Sequence, residues 1–266
     1  EFLDGLKVTI AANRFPESRR RIAELVLDKL VISVLFNMHD EALFHADPHA
    51  GNLFYSKEND ELVLFDWGLS CTLKRSNRRE IVQLILGFIL NDQTRTIKAT
   101  RNLTEGKLTK DQEIIIERKV LGIFVSLPKF PLVRLEPLTR LLDELILDGI
   151  RFPAELLMFR KSLFTLLGVL HDIDSEFSID WHLTRSLFGQ VIREVPNRLI
   201  HSPWSYNYPS QITTWDLRSV ILRLSQIAAQ LGIELTQLLA QFGLEKATEA
   251  LYNSGFPFAQ PSPAKS

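Results

Sequence analysis

The chain has 266 residues, 45% hydrophobic and 24% charged, the balance of a globular protein with a sizeable core. With 31 basic and 32 acidic residues the formal net charge is −1, which excludes a strongly basic nucleic-acid-binding surface and any general attraction to anionic membrane. The single cysteine, Cys71, excludes an internal disulfide framework; it fits a reducing compartment and reads as a small half-buried residue.

No secretory or transit signal opens the chain. Its first residue is Glu1 rather than Met, so a further N-terminal part is expected. Residues 16–38 read as one long helix, with Pro16 in the first turn and Ile22, Leu25, Val26, Leu30 and Val34 at helical spacing. Ala42-Leu43-Phe44 reads as a short strand. Leu53-Phe54-Tyr55 and Leu62-Val63-Leu64-Phe65 flank a polar turn and predict a hairpin. Asp66 then lies at the exit of the second strand, where its side chain can face Asp47 and Asn52.

Helical patterning resumes at about Asn77 and continues almost throughout. Helices are predicted over 78–90, 94–103, 111–126, 135–147, 154–171, 183–199, 214–231 and 235–252. Asn77 with Glu80, and Thr109 with Gln112, resemble capping boxes. Residues 201–210, with Pro203 and Pro209, read as an internal linker, and 255–266 as a disordered tail. The longest apolar runs, 81–90 and 163–170, fall well short of the ~20 residues a membrane span needs.

The densest chemistry lies in His45-Ala46-Asp47-Pro48-His49-Ala50-Gly51-Asn52 and in Phe65-Asp66-Trp67-Gly68. Asp47 and Asn52 stand five residues apart, the offset of Asp and Asn in the kinase loop H-R-D-x-x-x-x-N, and Asp66 opens a variant of Asp-Phe-Gly. Mg²⁺ prefers a few hard oxygen ligands, and Asn52 and Asp66 supply that type of donor. Asp47 can accept or orient the proton of an attacking hydroxyl or water. Gly51 permits a tight turn beside phosphates, and Gly68 lets the chain swing away after Asp66. His45 reads as a brace of the loop, and His49 as a substrate contact or second brace. Two other readings are a turn rich in Asp, Asn and Gly without chemistry, and a zinc site of His45, Asp47 and His49. The zinc reading leaves Asn52 and Asp66 unexplained.

These motifs resemble the UbiB/AarF/ADCK family of atypical kinases, whose catalytic loop reads H-x-D-P-H-P-G-N and whose metal loop reads D-F-G or close to it. The resemblance implies Asp47 as the catalytic aspartate and Asn52 and Asp66 as Mg²⁺ ligands for bound ATP. It extends to Glu1-Phe2-Leu3-Asp4-Gly5, similar to the segment after the interlobe hinge, and to Phe152-Pro153-Ala154-Glu155-Leu156 through Val169. Ala50 departs from the family's proline, and Trp67 replaces its phenylalanine. The family's K-x-G-Q motif, Ala-rich loop and strand lysine do not occur in the sequence. The likeness is therefore to a C-lobe without its N-lobe, a fragment expected to be inactive alone.

The implied fold is mainly α with a small β hairpin: a kinase-like C-lobe over 1–150, then a helical extension over 151–254. No A-P-E follows the metal loop, so a small-molecule or lipid-linked role fits better than a protein substrate. The family likeness implies a kinase or ATPase in ubiquinone or other prenylquinone metabolism. Aminoglycoside- or choline-kinase-type phosphotransferases share similar loops but usually carry Leu where this chain has Pro48. A catalytically inactive pseudokinase module is the third reading. A cytoplasmic protein is expected, with peripheral membrane association through Trp181, Trp204 and Trp215 as a variant of it. Arg19-Arg20-Arg21 and Arg78-Arg79 read as solvated helix faces, and Phe159, Phe164 and Phe188 as core.

Overall fold

The structure, a computed structural model, describes residues 5–125, 127, 135–198, 201–222, 225–226, 229–230 and 232–233. The chain divides into two units, Glu1–Val220 and Ile221–Ser266; the described residues of the second are helical, and every element below belongs to the first. The predicted helix over 235–252 and the tail over 255–266 lie outside the described residues.

Among the described residues the fold is mainly α with two small antiparallel sheets. Strand β1 (Leu6–Lys7) runs directly into α1 (Val8–Arg14), and neither was anticipated from sequence. Residues 16–38 are not one regular helix. A 3₁₀ turn at Pro16–Ser18 precedes α2 (Arg19–Leu27), which passes through a π-helical turn at Asp28–Ile32 into α3 (Ser33–Leu35). The first residue of that wider turn, Asp28, meets the His182 Nε2 at 2.8 Å. A contact 154 residues away is invisible to local periodicity.

Two ribbons follow. In the first, β3 (Leu53–Ser56) pairs with β4 (Glu61–Leu64) and with β1; in the second, β2 (Glu41–His45) pairs with β5 (Ser70–Lys74). Ala42, Phe44 and Leu73 turn their side chains into the core, as do Leu53 and Tyr55. Helix α4 (Arg75–Ile89) begins directly after β5, and its first N–H donates to Asp40 O at 2.7 Å. The Asn77–Glu80 capping box is therefore not formed. Asn77 lies inside α4 and donates to Glu155, while Glu80 accepts from Asn102. The Thr109–Gln112 box does form, with reciprocal bonds of 3.0 and 3.3 Å before α6 (Lys110–Val125). Helices α5 (Gln93–Leu103), α7 (Leu135–Leu147), α8 (Ala154–Ile173) and α9 (Ile179–Arg198) follow, and residues 214–220 of the same unit are helical too.

Residues 201–213 are irregular but docked rather than a free linker. Tyr208, Ser210, Gln211 and Ile212 are buried, and Gln211 Nε2 donates to Leu35 O and Asn37 O at 3.0 and 3.1 Å. A buried Arg198–Glu194 pair shares Ser210 as a common partner. Phe159 is core as expected, but Phe164 is 43% exposed beneath the Arg160 guanidinium. Helix α8 is apolar around much of its circumference, so spacing alone does not separate its two faces.

Arg78 overturns its reading as a solvated residue, because it is fully buried. Its guanidinium donates to Leu73 O, His39 O and, at 3.0 Å, Asn37 O. Burial, with the nearby Arg75 charge, pushes its pKa below the usual arginine value. The group stays charged in any folded protein. Its charge is met by three peptide dipoles that tie the turn before β2 to the end of β5. Arg78→Leu removes three charged donor bonds from the interior, leaving His39 O without its partner and Asn37 O with Gln211 alone, and is expected to destabilise the chain by roughly 3 kcal/mol or more in urea unfolding. Arg78→Lys should recover only part of this, since one ammonium lacks the planar fork. Wild-type stability in Arg78→Leu would contradict the assignment.

Candidate active site

The site lies where the two ribbons exchange strands. The loop 46–52 carries the chain from β2 to β3, and residues 65–69 carry it from β4 to β5. Because β2 pairs with β5 and β3 with β4, these two connections run side by side. The β3–β4 register pairs Leu53 with Leu64, and Phe65 N–H donates to Asn52 O at 2.9 Å, extending the ladder by one step. On the other ribbon, Ala46 N–H donates to Leu69 O at 3.0 Å. The hairpin register thus sets Asn52 opposite the residue that precedes Asp66.

His45 joins the two loops. Its Nδ1 lies 3.2 Å from the Asp47 amide nitrogen, and its Nε2 lies 3.0 Å from Phe65 O. An amide N–H can only donate and a carbonyl can only accept, so the ring is the neutral tautomer with its proton on Nε2. The ring is buried and packs against Trp67 at 5.3 Å.

The catalytic-type loop is a compact turn. His49 N–H donates to Asp47 O at 2.9 Å, Asn52 N–H to His49 O at 2.9 Å, and Asn52 Nδ2 to Asp47 O at 3.3 Å. His49 caps the 3₁₀ turn Ala50–Asn52 by accepting from Gly51 N–H at 3.1 Å, and its Nε2 stands 3.8 Å from Asp47 Oδ2. A Cβ on Gly51 would stand 2.8 Å from two His49 ring atoms, so glycine is what lets the imidazole fold back over the turn. The Asp47 carboxylate is 41% exposed and open to an incoming group.

Asp66 has φ +53°, the left-handed region that disfavours side chains. Such strain is typical of sites where a side chain is aimed for a purpose. Its Oδ1 accepts from Gly68 N–H at 3.3 Å, and a Cβ at Gly68 would stand 3.1 Å from that oxygen. Asp66 Oδ2 and Asn52 Oδ1 accept no hydrogen bond among the described residues. Two hard oxygens are thus free on adjacent loops, the donor chemistry that suits Mg²⁺.

The same bonds weigh against the zinc reading. Nδ1 of His45 and Nδ1 of His49 both use their lone pair on an amide, and no cluster of three potential ligands occurs among the described residues. Sequence reasoning missed Ser162 of α8, whose Oγ donates to His45 O at 2.8 Å. It also missed β5, which begins at Ser70, after only three intervening residues from Asp66. No helix among the described residues is long and apolar enough to cross a membrane.

Residues 1–100 match the model of the ABC1 atypical kinase-like domain. The chain is 26% identical over 184 residues to an uncharacterized protein of Synechocystis, covering 67% of this chain and 30% of the relative. It is 24% identical over 186 residues to the Arabidopsis thaliana protein Activity of bc1 complex kinase 7, chloroplastic, covering 67% and 26%. It is also 29% identical over 93 residues to a probable protein kinase UbiB of Photobacterium profundum, covering 34% and 17%. The matched stretches span less than a third of each of these relatives. Residues 1–100 are thus similar to the ABC1 atypical kinase-like domain, and the relatives that the chain resembles include proteins named as kinases.

Ala50 marks a departure with a measurable consequence. It is the first residue of its 3₁₀ turn, where an N–H has no partner within the turn, and His49 at φ −73°, ψ 157° already has the backbone that precedes proline. Ala50→Pro should stabilise the chain by about 0.4–1 kcal/mol in urea unfolding through lower unfolded-state entropy. Destabilisation would mean that the loop is not held as described.

Proposed function

We propose that this chain carries the metal-binding and acceptor-activating side of a Mg²⁺-dependent ATP site. The observation that carries the reading is the pair of uncommitted oxygens, Asn52 Oδ1 and Asp66 Oδ2, on two loops locked together by His45. Magnesium held there would neutralise charge on the phosphates of ATP. Asp47 takes or orients the proton of the attacking oxygen, with His49 alongside its carboxylate. The neutral His45 holds Asp47 and the Asp66 loop in one frame, so both sides of the reaction keep a fixed relation.

The acceptor is proposed to be water or a small or lipid-linked hydroxyl. Only Trp67, Gly68 and Leu69 separate Asp66 from β5, which runs straight into α4, and this leaves no room there for a long peptide-docking segment. A link to ubiquinone or another prenylquinone rests on the family alone. The family match weighs against the aminoglycoside- and choline-kinase alternative. A pseudokinase would have no need to keep Asp47, Asn52 and Asp66 together with the strained backbone at Asp66.

Asp66→Asn is expected to abolish Mg²⁺-dependent nucleotide binding and turnover in the protein carrying this chain, measured by calorimetry and phosphate release. Asp47→Asn should keep Mg²⁺-nucleotide binding while turnover falls by about 10²–10⁴-fold. Full binding and turnover in Asp66→Asn would refute the metal assignment.

A further inference from the structure

The His45 carbonyl faces out of its ribbon. Ala46 N–H donates to Leu69 O one step past the His45–Ser70 pair. Bonded and open pairs alternate along an antiparallel ladder, so His45 occupies an open position and its carbonyl points away from β5. The sheet contains only β2 and β5 among the described residues, so no further strand receives that carbonyl. The position is buried, which makes a partner obligatory.

Ser162 on α8 is that partner, 117 residues along the chain and outside the part that matches the family model. One turn earlier, Phe159 meets Phe44 edge-on at 5.3 Å. Residues three apart share a helix face, so α8 holds two consecutive residues of β2 by different means. The Phe159 contact is packing, which resists unfolding but tolerates rotation. The Ser162 bond is directional and sets the tilt of the His45–Ala46 peptide, and with it the imidazole that meets Asp47 N–H and Phe65 O.

We propose that Ser162 is a positioning residue: its hydroxyl orients the His45 peptide from behind, and so aligns Asp47 with the Asp66 loop. Its effect on turnover rests on the Mg²⁺-ATP reading above, whereas its effect on His45 can be read without activity. In the ¹⁵N-histidine-labelled chain, His45 (assigned with His45→Gln) should show a bare Nδ1 and a protonated, slowly exchanging Nε2. Ser162→Ala should move both ring signals toward tautomer-averaged positions, and Ser162→Thr should restore them. Phe159→Leu, which weakens packing without touching the hydrogen bond, should lower Tm and leave the ring signals in place. Unchanged ring signals in Ser162→Ala, or an equal change in Phe159→Leu, would overturn the proposal.

In turnover assays Ser162→Ala should lower kcat by about 10- to 100-fold with KM for ATP held within about twofold. An intact kcat with altered ring signals would also overturn it. Absence of wild-type turnover counts against the Mg²⁺-ATP reading, and the ring signals then decide the role of Ser162.

Discussion

His45 must donate through one ring nitrogen and accept through the other, and a single tautomer satisfies both. Everything at the site hangs on that pairing. The acceptor nitrogen holds the amide of Asp47, and the donor nitrogen holds the carbonyl just before Asp66. Two loops that arrive from different ribbons are thereby locked to one rigid ring. The far end of the same ribbon is fixed by the buried Arg78 guanidinium, which gathers Leu73, His39 and Asn37 carbonyls. Asn37 O also receives Gln211, so the docked strap at 201–213 reaches the same point. Strand β2 is thus anchored by backbone polarity at both ends and by α8 along its buried side.

Much of this was legible because the governing contacts are local. Helix α7 follows its apolar spacing, and the Thr109–Gln112 cap was visible in four residues. The β3–β4 hairpin was legible from two apolar runs about a polar turn, and its register brings Asn52 opposite Phe65. The spacing within His45–Asn52 and the position of Asp66 after a strand were enough to bring the loop residues into consideration together.

What escaped depends on partners far along the chain. Ser70-Cys71-Thr72-Leu73-Lys74 shows little apolar alternation, and it is a strand because β2 offers it a ladder. Arg78 beside Arg79 has the look of a solvated pair; three carbonyls from two other segments decide that one goes inside while Arg79 lies against Tyr206. Ser162 is one small polar residue on a largely apolar helix, and nothing in its neighbours announces a carbonyl waiting across α8. The turn is held by bonds that do not involve the Ala50 side chain, and the Trp67 ring covers His45.

The proposed reading gives each loop its chemistry by the atoms it leaves open: acceptor activation to Asp47, metal binding to Asn52 and Asp66, and alignment to His45. A structure of the protein with Mg²⁺ and a non-hydrolysable ATP analogue tests this most directly. The account predicts a metal ion at about 2.0–2.1 Å from Asn52 Oδ1 and an Asp66 carboxylate oxygen, with Asp47 facing the terminal phosphate and the His45 bonds intact. Bound nucleotide whose metal lies away from Asn52 and Asp66 would contradict it.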